Sequence, residues 1–348
     1  MFQENQGDDA WNICKRHLPS SGQFAEKKMK ITFSLTFPWA SLPLDSEHKI
    51  HMNLLITIFI LTIAILIPDH AMAWGPGVHL ALGNSVLGNM NSLPPLMAAL
   101  LFRHQNAFLY GCLSADIFIG KGSSFRLGHS HNWVTGFKLL NSAKDPRLLS
   151  YAYGYLTHLA ADVVAHNYFV PNTLWTMPSG GKLSHVYVEA QADQKFEAER
   201  ESALALFRRP NRDTDGSLLS TMRRKRLPFL LKKQIIKGSL KLTGRKGWGE
   251  SLRLADRLLP WPQDTRHLDE MFTLSENIIF DFLNDPKSSP SVSFDPIGSG
   301  NLREVRKMRM ERTRRNQQTL LFNPHESLVK LPRPEAYSRE LPEAKVGS

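Results

Sequence analysis

The chain has 348 residues, 42% of them hydrophobic, enough for a sizeable core in one large domain or two ordinary ones. Its formal charge of +11 favours an anionic partner without choosing among membrane phosphates, nucleic acid and acidic substrates. Two cysteines, Cys14 and Cys112, exclude a framework of disulfides and a thiolate-rich zinc site, so any metal is held by nitrogen and oxygen.

Residues 1–51 are mixed and polar, with no sustained periodicity. The character changes at Met52. A short basic flank, His48-Lys49-Ile50-His51, precedes the apolar run Leu54 to Ile67, and Pro68-Asp69-His70 leads to Ala71-Met72-Ala73. This is the order of a secretory signal peptide over 52–73 with cleavage after Ala73, and a run of fourteen residues is short for a membrane span. Met52 opens the segment well enough to be an alternative start. Cleavage makes Trp74 the first residue and leaves 37 Lys/Arg against 25 Asp/Glu, a net charge of +12. The expected location is secreted or periplasmic, with no dependence on disulfides.

Trp74-Gly-Pro-Gly-Val leads to His79 and a helix-forming stretch. A free α-amino group and an imidazole five residues on converge on one ion if the Gly-Pro-Gly turn folds the end back. Met97 to Leu113 reads as one buried helix, followed by Asp116 among apolar residues, where a cap or turn role is the default. A glycine- and serine-rich loop, 120–128, precedes His129-Ser-His131-Asn-Trp133; one of these imidazoles is a candidate ligand, the alternative being surface histidines.

The stretch that organises the chain follows. In Tyr153 to His166, the polar residues His158, Asp162 and His166 recur every fourth position. Each such step turns an α-helix by only about 40°, so imidazole, carboxylate and imidazole share one face. Leu159, Ala160, Ala161, Val163, Val164 and Ala165 between them are apolar, which predicts a buried helix rather than a solvated charged stripe. Nineteen residues past His166 come His185 and Glu189 at the same spacing. A lone histidine on an apolar helix is commonly a hydrogen-bonded core residue, and one His/Asp pair at i, i+4 a surface interaction. Five such residues on two segments are costly to bury unpaired, and metal binding accounts for them.

Past Glu189 the sequence stays helical through Gln191 to Phe207, with Asp193, Glu197 and Glu199 expected on a solvated face, and 208–216 reads as a turn-rich break. Residues 217–249 contain ten Lys/Arg and no acidic residue, interleaved with Leu230, Leu231, Ile235, Ile236 and Leu240. Two readings stand side by side, an amphipathic helix on an anionic membrane surface and a solvated basic helix packed on the core. Nucleic acid is the weaker alternative, because aromatic stacking platforms are sparse. Leu268 to Leu283 reads as a further buried helix, 285–300 as irregular, 302–315 as a basic helical segment, and the chain from Pro332 as mobile.

Taken together in order, these elements resemble the zinc-dependent phospholipase C family, closest in motif spacing to the amino-terminal domain of glycosylphosphatidylinositol-specific phospholipase D. The resemblance covers Trp74 to about Ala198. It rests on a Trp exposed by signal cleavage with a His nearby, Gly-x-x-x-x-Asp ending at Asp116, a His before an aromatic-rich stretch, His-x-x-x-Asp, a further His, and His-x-x-x-Glu. His166 follows Asp162 by four residues, where the secreted bacterial phospholipases have six, and the Trp74 to His79 gap is also shorter than theirs.

The resemblance implies an all-α fold, a multi-helix domain holding up to three Zn2+ ions in a cleft and carrying a basic helical C-terminal extension. Trp74, His79 and Asp162 would hold one ion; Asp116, His131 or His129, His158 and Asp162 a second, with Asp162 bridging; and His166, His185 and Glu189 the third. Asp116 matches the family's general base. The expected organisation is a signal peptide over 52–73, a metal-binding domain over 74–210, a basic helical extension over 211–284 packing on or near it, and an irregular, partly disordered basic tail over 285–348. The expected function is a zinc-dependent phosphodiester hydrolase, phospholipid first, in which metal-activated water attacks phosphorus. The alternatives are a secreted nuclease-like hydrolase with the same type of trinuclear site and a non-catalytic envelope or membrane-binding protein with structural metals.

Overall fold

Three prolines mark where helices begin. Pro76, Pro95 and Pro146 each stand in the first turn of a helix, where a missing N–H costs nothing and the fixed φ is already helical. Asp145 caps the third of these by accepting the Leu148 N–H at 2.8 Å, and Asn132 caps another by accepting that of Val134 at 2.7 Å. The computed structural model describes residues 74–118, 129–176, 188, 190–243, 266–310 and 321–334. Within them the chain is all-α, with twelve helices and no strand.

In chain order these are α1 (Pro76–Gly88), α2 (Pro95–Arg103), α3 (Gln105–Ser114), α4 (Trp133–Asn141), α5 (Pro146–Val164), α6 (Val170–Thr176), α7 (Glu197–Arg208), α8 (Arg212–Thr221), α9 (Arg226–Thr243), α10 (Arg266–Asn284), α11 (Ser299–Met310) and α12 (Glu326–Val329). A π-helical turn, Ala165–Phe169, joins α5 to α6. The expected single helix over Met97 to Leu113 is two, because His104 leaves helical geometry at φ −125°, ψ 38°. The turn-rich break after Arg208 is also short, since α8 begins at Arg212.

Helix α5 is the centre of the packing. Every residue from Leu149 to Val164 is buried, so this helix has no solvent face and the others surround it. Helices α3 and α5 meet backbone to backbone. A Cβ on Gly154 would run into the carbonyl of Phe108, and one on Gly111 into that of Tyr151. Only glycine permits this approach, and it brings the Cys112 carbonyl within 2.8 Å of Nδ1 of His158.

Among the described residues, helix α9 is fixed on one side. Phe229, Ile236 and Leu240 enter the core, and the buried Lys233 bonds Asp215 of α8 at 2.7 Å while lying 4.9 Å from the centre of the Tyr110 ring. Tyr110 donates its hydroxyl to the same Asp215 carboxylate at 2.5 Å.

The stretch 285–300, expected to be irregular, contains a 3-10 turn at Pro290–Ser293 and the start of α11, and it is bound to the core. Trp133 donates its indole N–H to the Phe294 carbonyl at 2.9 Å, and Asn167 reaches the Asp295 carbonyl at 2.9 Å. Asn301 donates to the Asn167 carbonyl at 2.7 Å. Residues 52–73, which carry the expected signal peptide, lie outside the described residues, as do 1–51. Among the described residues no helix is long and apolar enough to cross a membrane.

Candidate metal centre

Four of the expected donors meet around the middle of α5. Nε2 of His131 lies 3.1 Å from Oδ1 of Asp116, 3.3 Å from Oδ2 of Asp162 and 3.1 Å from Nε2 of His158. Nε2 of His158 is itself 3.3 Å from Oδ2 of Asp162. On the other side of that carboxylate, Oδ1 of Asp162 faces Nε2 of His79 at 3.4 Å, and the His79 and His158 rings stack with centroids 3.8 Å apart. His166 reaches Oδ2 of Asp162 at 3.8 Å. All six side chains are buried.

Proton counting shows why such a cluster suits a cation. The Cys112 carbonyl can only accept, so His158 carries its proton on Nδ1 and turns the lone pair of Nε2 inward. The oxygens of Asp116 and Asp162 are acceptors as well. Nε2 of His131 brings at most one N–H to the three acceptor atoms around it, so the cluster is rich in lone pairs. Two ligands of a tetrahedral zinc, each about 2.1 Å from the ion, lie about 3.4 Å apart, close to the spacings found here. Two sets of three, His79 with Asp116 and His158, and His131 with His158 and Asp162, bring their donor atoms within 4.8 Å of one another. The donor set therefore fits nitrogen- and oxygen-bound metal.

Burial, and then the adjacent His158 ring, push His79 below its ordinary value. Burial works to lower His158 too, but the carboxylates of Asp162 and Asp116 outweigh it and hold this ring above its ordinary value. The two shifts run in opposite directions, and it is His79 whose lone pair burial favours keeping free of a second proton.

Of the adjacent pair, His131 faces the cluster. Nδ1 of His129 accepts the His131 backbone N–H at 3.1 Å, committing that nitrogen to the local turn, and its ring centroid is 6.2 Å from that of His131. The turn is held by Thr135, which donates to the His129 carbonyl at 2.8 Å, and by Tyr155, which donates to the Ser130 carbonyl. Neither histidine is on the surface. Trp74 is fully buried, its indole stacked 4.5 Å from Phe169 in the π-helical turn that carries His166. His185 and Glu189 lie outside the described residues.

Residues 78–241 match the family model described as zinc dependent phospholipase C. This stretch is a zinc-dependent phospholipase C domain. No curated protein and no solved structure gives a significant match. The match runs past residue 210 and takes in α8 and most of α9. The family's metal is zinc, in keeping with the buried histidine and aspartate groups.

One functional contact has no counterpart in the expectations. Asp193, expected on a solvated face, is buried and accepts the Val78 N–H at 3.0 Å, tying the start of α1, and with it His79, to the other side of the domain. A Cβ on Gly75 would collide with this carboxylate. Burial pushes Asp193 up to about 6 although backbone N–H groups and Arg200 oppose the rise. The folded chain thus keeps a proton that the unfolded chain releases at its ordinary value of 3.8, so stability falls as pH rises through that window and levels off above it. The gap corresponds to about 3 kcal/mol. Asp193→Asn keeps an oxygen for Val78 and cannot ionise. Its stability relative to the wild type is expected to rise by up to about 3 kcal/mol between about pH 4 and about pH 7, measured by denaturant unfolding. A difference that does not change with pH contradicts this reading.

Proposed function

We propose that the chain is a secreted or periplasmic zinc-dependent phosphodiester hydrolase that cleaves phospholipid headgroups as a phospholipase C or D does. The observation that carries the reading is the meeting of His79, Asp116, His131, His158 and Asp162 in one buried cluster inside a domain of this family. Zinc supplies positive charge for phosphoryl oxygens and brings the pKa of water towards neutrality.

The chain's own residues do the rest. Asp162 presents Oδ1 to His79 and Oδ2 to His131, His158 and His166, an arrangement suited to joining two neighbouring sites. The Cys112 carbonyl orients His158, and the Ser130 hydroxyl, 2.9 Å from Nδ1, orients His131. Asp116 is 7% exposed where Asp162 is sealed, so it is the carboxylate that water reaches. In this reading Asp116 accepts the proton of the attacking water. By the family resemblance, His166 would hold a third ion together with His185 and Glu189, which lie outside the described residues, and Trp74 would add backbone ligands once a signal peptide over 52–73 is removed.

The test is hydrolysis of phospholipid vesicles and of nucleic acid by the purified protein, with and without a chelator. Chelator-sensitive release of lipid headgroup is expected. Cleavage of nucleic acid alone moves the assignment to a nuclease, and bound zinc with neither substrate cleaved moves it to a non-catalytic envelope protein.

A further inference from the structure

Seven large hydrophobic side chains stand exposed in the described part of the chain, and four of them belong to α9. They are Leu227, Leu230, Leu231 and Ile235, with Leu227 and Leu231 exposed by 69% and 59%. Their spacing of three and four residues places them on one stripe. The stripe lies opposite Phe229, Ile236 and Leu240, which bind the helix to the core. A helix apolar on both sides has one side still to cover. The Lys233 bond to Asp215 fixes the rotation of the helix, so the stripe stays outward.

The charge around the stripe states what covers it. Arg223, Arg224, Lys225 and Arg226 precede it, Lys232 and Lys237 border it, and no acidic residue occurs anywhere in 217–249. Long cationic side chains beside an apolar stripe let the apolar residues enter hydrocarbon while their charges reach phosphates. We propose that this face of α9 docks the protein on a bilayer rich in anionic phospholipid. The same helix braces the turn that carries Asp116, since Phe229 packs against Phe118, two residues past Asp116, with ring centroids 5.3 Å apart. Docking therefore sets the candidate centre close to the lipid surface.

Flotation of the chain beginning at Trp74, with its metal, tests this, after brief mixing on ice with vesicles of phosphatidylglycerol and phosphatidylcholine or of phosphatidylcholine alone. The protein is expected to float with the anionic vesicles only, and less so at high salt. Leu231→Glu with Ile235→Glu is expected to lower partition about tenfold or more, because two buried apolar contacts become repelled charges. Lys237→Gln with Lys241→Gln changes no apolar residue and is expected to reduce both the binding and its salt dependence. Flotation needs no turnover, so its outcome is separate from that of the hydrolysis assay. The proposal is overturned if the wild type ignores anionic vesicles or if both double variants float as the wild type does. It is overturned equally if the stripe variant instead abolishes binding to DNA, or only turns a dimer into a monomer in sedimentation.

Discussion

Asp162→Asn is expected to remove at least one zinc ion per molecule and to lower phosphodiesterase activity about a hundredfold or more. Loss of a partner that merely orients a metal ligand already costs about 10- to 100-fold, and Asp162 faces both halves of the cluster directly. Thermal melting of zinc-loaded Asp162→Asn is expected below the zinc-loaded wild type, because the variant loses the carboxylate that faces His79, His131, His158 and His166. Wild-type metal content in the variant contradicts the bridging role.

Gly298→Ala is expected to destabilise the protein by about 2 kcal/mol or more and to lower activity with it. Gly298 has φ +59°, a conformation that costs an alanine about 1–2 kcal/mol, and an added Cβ would press on the carbonyl of His166. Nothing around it is free to yield, because Asn167 is tied to Asp295 and Asn301 is tied to Asn167. This segment lies outside the region that matches the family, yet it holds the π-helical turn on which His166 sits. Gly300→Ala is the control, since a Cβ there meets nothing and lies within α11. Denaturant midpoints for the two variants are expected to differ clearly; equal midpoints mean that the close approach of Gly298 holds nothing.

What the sequence shows of this centre follows from periodicity. A step of four along an apolar run is enough to place His158 and Asp162 on one face of a buried helix, the most enclosed among the described residues. The order of donors also brings His79, Asp116 and His131 within reach, although they come from three separate segments. Contacts made through backbone leave no such trace. The Cys112 carbonyl that orients His158 belongs to a residue whose side chain plays no part, and its approach depends on two glycines that a periodicity count treats as gaps. Asp193 lies in a run of charged residues that reads as solvated, and its pairing with the N–H of Val78, 115 positions away, and with Arg200 holds it inside. The choice between His129 and His131 turns on a local hydrogen bond that their shared composition does not reveal. The clamp at Gly298 sits in a Pro-, Ser- and Gly-rich stretch, where glycine reads as looseness rather than as the one residue that fits.

Anomalous diffraction at the zinc edge, from crystals of the metal-loaded protein, measures the central claim most directly. The expected result is a peak among Nε2 of His131, Nε2 of His158 and the carboxylates of Asp116 and Asp162, with a second on the His79 side of Asp162. Zinc found only at exposed histidines such as His325, with the buried cluster dark, contradicts the account.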